Sequence, residues 1–232
     1  MSDSLPVSEI FTSLQGEGWG AGLPTLFIRL AGCNLAIEHG GCLYCDTRYA
    51  QKPEQGGEMT FDEIFEKVPR DYPGVICVTG GEPLSHGGII KFLNRLSDSV
   101  GGWISVETNG SIPIPKMSRD GGLVEIAVYS SLAWSVDIKC PGSGMEEFNY
   151  YENIERLHHS DQLKFVIADR KDFDFAKQIM KTYRRCLGRI VFQPAYKLLD
   201  PAELAKWILE DKLSVKLSLQ LQKILWGTKR GV

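Results

Sequence analysis

Cys33, Cys42 and Cys45 follow the pattern C-x8-C-x2-C, and they are the residues of this chain best suited to chemistry. A C-x2-C pair turns both sulfurs toward one point, which suits a shared metal centre. Three thiolates in one loop supply three ligands. His39, inside the first gap, is the loop's sole imidazole. On spacing alone two centres are equally good. One is a structural zinc held by the three cysteines and His39. The other is an iron–sulfur cluster with one iron left open. Cys77, Cys140 and Cys186 lie apart from the loop, and each reads as a small buried residue.

A second candidate is Gly80-Gly81-Glu82-Pro83, at the end of the apolar run Val75–Thr79. Its glycines let backbone approach a ligand closely. Glu82 and the backbone carbonyls are acceptors, so they suit an ammonium better than a phosphate. Alone, such a segment is more often a plain turn. The three-cysteine loop upstream favours a binding loop.

These segments need a frame. Thr25–Leu30, Val75–Thr79, Trp103–Val106, Leu132–Ile138, Leu163–Ile167 and Ile190–Phe192 read as apolar strands. Helices are expected at about 60–69, 88–98, 171–185 and 201–210, the first opened by a Thr60/Glu63 capping box. Ser214–Leu221 alternates like a half-buried strand. Strand, polar loop and helix repeat, which indicates a parallel sheet with crossover helices. The polar loops fall at strand C-terminal ends, the edge that carries active sites in such folds. Six strands are too few for a full eight-stranded barrel. The expected fold is therefore α/β, a partial, abridged parallel β/α barrel in a single domain over 1–232, with a Cys-rich loop at 31–57.

The bulk numbers narrow the function classes. The chain has 232 residues, 43% hydrophobic and 24% charged, the mix of a soluble globular protein. A net charge of −3 argues against a mainly electrostatic grip on nucleic acid. The N-terminal segment lacks the basic start and apolar core of a signal peptide. No apolar run approaches the ~18 residues that span a bilayer. A cytoplasmic protein without membrane contact is expected, and reduced cysteines there favour metal or redox chemistry over disulfides.

With both loops in view, the chain resembles the radical S-adenosylmethionine superfamily and, within it, the 7-carboxy-7-deazaguanine synthase family. The matching residues run end to end: Gln15-Gly-Glu-Gly18, Phe27–Cys33, Cys42–Thr47, Thr79–Pro83, Glu107–Gly110, Asp137–Pro141, Gln193-Pro194 and Trp226–Val232. The QGEG start and the KRGV end are the most specific. The resemblance implies conversion of 6-carboxy-5,6,7,8-tetrahydropterin to 7-carboxy-7-deazaguanine with loss of ammonia, in 7-deazapurine (queuosine- or archaeosine-type) biosynthesis. A [4Fe–4S] cluster on Cys33, Cys42 and Cys45 would cleave S-adenosylmethionine to start the radical ring contraction. Magnesium, a homodimer and an electron donor such as flavodoxin or ferredoxin come with the family.

The resemblance also distributes roles. Leu14, Gln15, Gly16, Glu17, Arg29, Thr79 and Val232 are implied to bind substrate, with Arg29 as the fork for its carboxylate and the terminal carboxylate folded back. Gly81, Glu82, Asp137, Ile138, Lys139, Gln193, Pro194, Ala195 and Tyr196 are implied to bind S-adenosylmethionine. Thr47 is implied to ligate magnesium. No side chain is assigned as a catalytic acid or base. The eight-residue gap after Cys33 is longer than the usual three of the superfamily. Gln222 stands where some relatives carry His, a change that spares a polar contact but not a proton transfer. Two other readings stay open: a radical activase acting on a glycyl-radical partner, and a non-catalytic zinc module.

Overall fold

The structure, a computed structural model, describes residues 3–115, 117–118, 126–127, 132–183 and 189–232. Cys186 lies outside them. Strand β1 (Ser4–Leu14) runs antiparallel to β2 (Pro24–Leu30). The cysteine loop follows and contains a short helix, α1 (Asn34–His39). Next come β3 (Gly57–Thr60), α2 (Phe61–Phe65), β4 (Val75–Gly80), α3 (Ile89–Ser99) and β5 (Trp103–Thr108). Two short strands, β6 (Met117–Ser118) and β7 (Ile126–Ala127), pair with each other outside the main sheet. The second half holds β8 (Leu132–Ile138), α4 (Glu152–Arg156), β9 (Gln162–Ile167), α5 (Arg170–Thr182), β10 (Arg189–Pro194), α6 (Pro201–Glu210), β11 (Lys216–Leu217) and α7 (Leu221–Trp226).

The main sheet has the order β11-β10-β9-β8-β5-β4-β2-β1-β3. From β2 to β11 every pairing is parallel; β1 and β3 add an antiparallel margin. The sheet is open, which is the expected partial barrel. Its six expected strands are β2, β4, β5, β8, β9 and β10.

Register divides the side chains between two faces. Leu26 pairs with Ile76, Ile76 with Ile104, and Val136 with Leu163; these point to the helices and are buried. That layer ends in an aromatic cluster where Phe192 meets Phe165 and Phe173 edge to face, with ring centroids 5.7 and 5.8 Å apart. The other face carries Arg29 beside Thr79 and Asp137 beside Lys164.

One strand went unread, and two expectations need correction. β1 is a strand that simple alternation does not reveal. Val7 pairs with Leu30 but Glu9 pairs with Arg29, so a bulge lies between them. One extra residue flips the strand, so Leu5 and Val7 join the apolar layer while Glu9, Phe11 and Ser13 share the face of Arg29. Helix α2 has its Thr60/Glu63 capping box but stops at Phe65, where the following turns tighten to bonds from Lys67 to Ile64 and Val68 to Phe65. The Ser214–Leu221 segment is a strand only at Lys216–Leu217, because Leu221 opens α7 and donates its N–H to the Gly16 carbonyl at 2.9 Å.

Replacing the fully buried Phe165 by Ala is expected to cost about 3–5 kcal/mol, read as a lower urea midpoint with an unchanged slope.

Candidate active site

The cysteine loop is held at the end of β2 by its neighbours. Gly32 N–H donates to Ala50 O at 2.9 Å, and Cys33 N–H to Gln51 O at 2.8 Å. Glu82 N–H reaches Gly32 O at 2.8 Å, tying the Gly-Gly-Glu-Pro loop to the cysteine loop. The long gap after Cys33 is a helical turn, α1, closed by Gly40 and Gly41 at φ +84° and +81°. Those left-handed angles need glycine. The reversal returns the chain to Cys42, and Cys45 N–H then bonds Cys42 O at 3.1 Å in the tight C-x2-C turn.

All three thiols are free and partly exposed, and they open onto one cavity of about 290 Å³. His39 does not join them. Its ring stacks on Phe148 at 3.8 Å and its Nε2 lies 3.5 Å from Glu38. Among the described residues, no three His, Cys, Asp or Glu side chains converge on a single metal ion. A tetrahedral zinc on the three cysteines and His39 therefore lacks its fourth ligand.

The same cavity collects most of the residues assigned from sequence: Leu14, Gln15, Gly16, Glu17, Arg29, Thr47, Thr79, Gly81, Asp137, Lys139, Gln193, Pro194, Ala195, Tyr196 and Val232. Two assigned side chains do not reach it. Ile138 follows Asp137 on the pleat and points into the apolar core. Glu82 is fully buried, and its carboxylate accepts from Thr108 Oγ1 at 2.8 Å, Asn109 N at 2.6 Å and Leu84 N at 2.9 Å. Burial pushes its carboxyl up, against these donors. Both oxygens are engaged, so the side chain braces two loops.

A line of alternating charge crosses the cavity floor. Glu17 accepts from Gln220 at 2.8 Å, Gln222 at 3.2 Å and Lys164 at 3.0 Å. Lys164 also lies 3.9 Å from Asp137 Oδ2, which accepts from Lys139 at 2.9 Å. Lys139 in turn feels the thiols of Cys42 and Cys45. Burial works against the Glu17 charge, but Lys164 and the donated hydrogen bonds overcome it and hold its carboxyl down at about 2. Burial likewise opposes both lysines, yet Glu17 keeps Lys164, and Asp137 keeps Lys139, above the usual lysine range. Burial pushes the Cys33 and Cys42 thiols up, while Lys139 favours the Cys42 thiolate.

A second network lies beside it. Glu107 accepts from Gln15 at 3.1 Å and from Thr79 at 2.8 Å. Asn109 Nδ2 sits 3.7 Å from Cys33 Sγ and bonds Asn34 at 3.0 Å. Arg29 Nε donates to Glu9 at 2.8 Å, leaving its two terminal nitrogens without a protein acceptor among the described residues. Gly16 admits Gln222, since a Cβ there would come within 1.7 Å of the Gln222 amide oxygen.

Sequence reasoning gave Lys164 no role, quoted Glu107 and Asn109 in a matching motif without assigning them to the site, and missed Gln220. The signal for Lys164 was a cation inside an apolar strand, in phase with Gln162. Glu107 stands in phase with Ser105 on β5. Gln220 had no signal, because a turn after β11 delivers it.

Comparison with known proteins identifies the family and the fold. The radical SAM superfamily model matches residues 27–128. The 7-carboxy-7-deazaguanine synthase of Koribacter versatilis is 36% identical over 96% of this chain and 97% of its own. That of Chlorobaculum tepidum is 38% identical over 98% and 97%. The chain belongs to the 7-carboxy-7-deazaguanine synthase family. QueE from Escherichia coli, 21% identical, shares the fold with a TM-score of 0.67 over 94% of each chain.

Membership of the radical SAM superfamily implies a [4Fe–4S] cluster and S-adenosylmethionine. The residues of this 7-carboxy-7-deazaguanine synthase family member fit both. Three free thiols on the cavity, with no fourth there among the described residues, suit a cluster with one open iron. Asp137 Oδ1 and Gln193 Oε1 are buried in the cavity wall with no hydrogen-bond partner, which suits a ligand bearing N–H or O–H groups. At Gly81 a Cβ would lie 2.1 Å from Gly32 O, so only glycine lets the two loops meet.

Lys164→Met would leave the largely buried Glu17 carboxylate without its cation, held by Gln220 and Gln222, a loss of about 3–5 kcal/mol near neutral pH. Glu17 is depressed from its ordinary 4.5 to about 2, so its stabilisation is complete above 4.5 and is lost as pH falls toward about 2. The gap in urea midpoint between wild type and Lys164→Met is therefore expected to close across that window.

Proposed function

We propose that this chain converts 6-carboxy-5,6,7,8-tetrahydropterin to 7-carboxy-7-deazaguanine with release of ammonia, in 7-deazapurine biosynthesis. The observation that carries the reading is the shared cavity, onto which three free thiols and a row of paired charges both open. When bound, the [4Fe–4S] cluster and S-adenosylmethionine supply the one-electron chemistry that begins the ring contraction. Cys33, Cys42 and Cys45 would hold the cluster. Gly81, Asp137, Lys139 and the Gln193–Tyr196 stretch would hold S-adenosylmethionine, with Lys139 facing its carboxylate and Asp137 its donor groups.

In the same cavity, Arg29 presents its free terminal nitrogens to the substrate carboxylate. Leu14, Gln15, Gly16 and Glu17 read the edge of the pterin ring, and Thr79 and Val232 close on it. Lys164 keeps Glu17 ionised, so that Glu17 acts as an acceptor. Glu82 and Ile138 serve the site by holding its loops and strand rather than by touching ligand. Thr47, whose hydroxyl donates to Asp46 at 3.0 Å, would take magnesium together with substrate oxygens and water. Homodimer assembly, reduction by a flavodoxin or ferredoxin and a cytoplasmic location complete the proposal. Among the described residues no helix is long and apolar enough to cross a membrane.

The test is anaerobic turnover. Reconstituted protein with reductant, S-adenosylmethionine and the carboxytetrahydropterin is expected to bind about four irons per chain and form the deazaguanine with ammonia. A protein that binds iron and cleaves S-adenosylmethionine but leaves the pterin intact would sink the substrate assignment. Arg29→Met is expected to raise KM by about 10–100-fold while iron content stays at the wild-type level.

A further inference from the structure

Glu9, Tyr49 and Arg230 take no part in the chemistry proposed above, yet they meet at the rim of the cavity. Glu9 Oε1 accepts from Arg29 Nε at 2.8 Å and from the Tyr49 hydroxyl at 3.0 Å. Its other oxygen faces Arg230 Nη2 at 3.7 Å. The Arg230 guanidinium lies over Tyr49, 3.5 Å from the ring centroid. Arg29 approaches the same ring from 5.9 Å. Two arginines thus share one carboxylate and one aromatic ring. One of them points into the cavity and the other belongs to the C-terminal tail.

The tail has few other anchors. Its last backbone hydrogen bond is Lys229 N–H to Trp226 O at 3.3 Å. Among the described residues, nothing beyond the Arg230 contacts ties residues 230–232 by hydrogen bond or ion pair. Unanchored termini fray. Even so, Val232 lines the cavity with Arg29. Gly231, at φ +65°, makes the turn that carries the chain from Tyr49 back to the opening.

We propose that Arg230 is a positioning residue that latches the tail over the substrate cavity and, through Glu9, sets the direction of Arg29. The ring contact holds the tail, and the shared carboxylate couples its closure to the Arg29 fork. This rests on the reading of Arg29 as the partner of a carboxylated substrate. Glu9 owes its place to the β1 bulge, which turns it toward Arg29.

Two readouts separate the latch from that reading. The first needs no ligand: endoproteinase Lys-C cuts after Lys229 only when the tail is free. Arg230→Ala is expected to speed that cut about tenfold by mass spectrometry, with Arg230→Gln, which keeps a planar donor group without the charge, between it and wild type. Arg230 is 55% exposed, so these variants keep the fold. The second is kinetic: Arg230→Ala is expected to raise KM for the carboxytetrahydropterin about tenfold with kcat within about threefold and iron content unchanged. Equal cleavage rates in wild type and Arg230→Ala overturn the latch. Faster cleavage with an unchanged KM overturns the positioning role. A wild type that never turns over the pterin defeats the function assignment, while the Lys-C comparison still decides the latch.

Discussion

Arg29 and Leu30 are neighbours on β2 and point to opposite faces of the sheet. That two-residue period, carried from strand to strand by parallel pairing, is what the site depends on. Leu30, Val78, Val106, Val136 and Phe165 continue one face and are buried under the helices. Arg29, Thr79, Glu107, Asp137, Lys164 and Gln193 continue the other and surround the cavity. A slip of one residue in any pairing would put charge into the apolar layer and apolar side chains into the cavity. The apolar face therefore enforces the geometry of the polar one.

Burial makes the polar residues depend on one another. Glu17, Lys164, Asp137 and Lys139, each mostly withdrawn from solvent, would be costly if left alone. Arranged in alternating order they stabilise one another's charged forms, and the line ends at the thiols. The cavity is thereby charged before any ligand enters. It also keeps acceptors in reserve, since Asp137 Oδ1 and Gln193 Oε1 remain unpartnered. Such preorganisation suits an enzyme whose protein part must hold two ligands in contact while the cofactor does the bond-breaking.

The loops complete the arrangement by backbone contact. Glu82, the charged member of the Gly-Gly-Glu-Pro segment, holds Thr108, Asn109 and Leu84 together from inside. Asn109 in turn leans on Cys33. The carboxylate thus links the loop after β4 to the loop after β5, and its amide joins the cysteine loop. Its place in the motif is explained by bracing as well as by any ligand.

Much of this was legible in the chain. The six parallel strands follow from apolar runs bounded by polar loops. The cysteine spacing puts three thiols in one loop, and the end-to-end motifs name the family. What eluded a linear reading shares one physical cause. β1 hides behind a bulge that breaks its alternation, and register and burial turn the side chains of Glu82 and Ile138 inward. Lys164 and Glu107 become site residues only when five strands align, and Gln220, Gln222 and Arg230 arrive from the far end of the sequence. Local pattern determined which elements form and which residues can do chemistry. Tertiary packing alone decided which of them face the cavity, because a side chain's direction depends on register with neighbours distant along the chain.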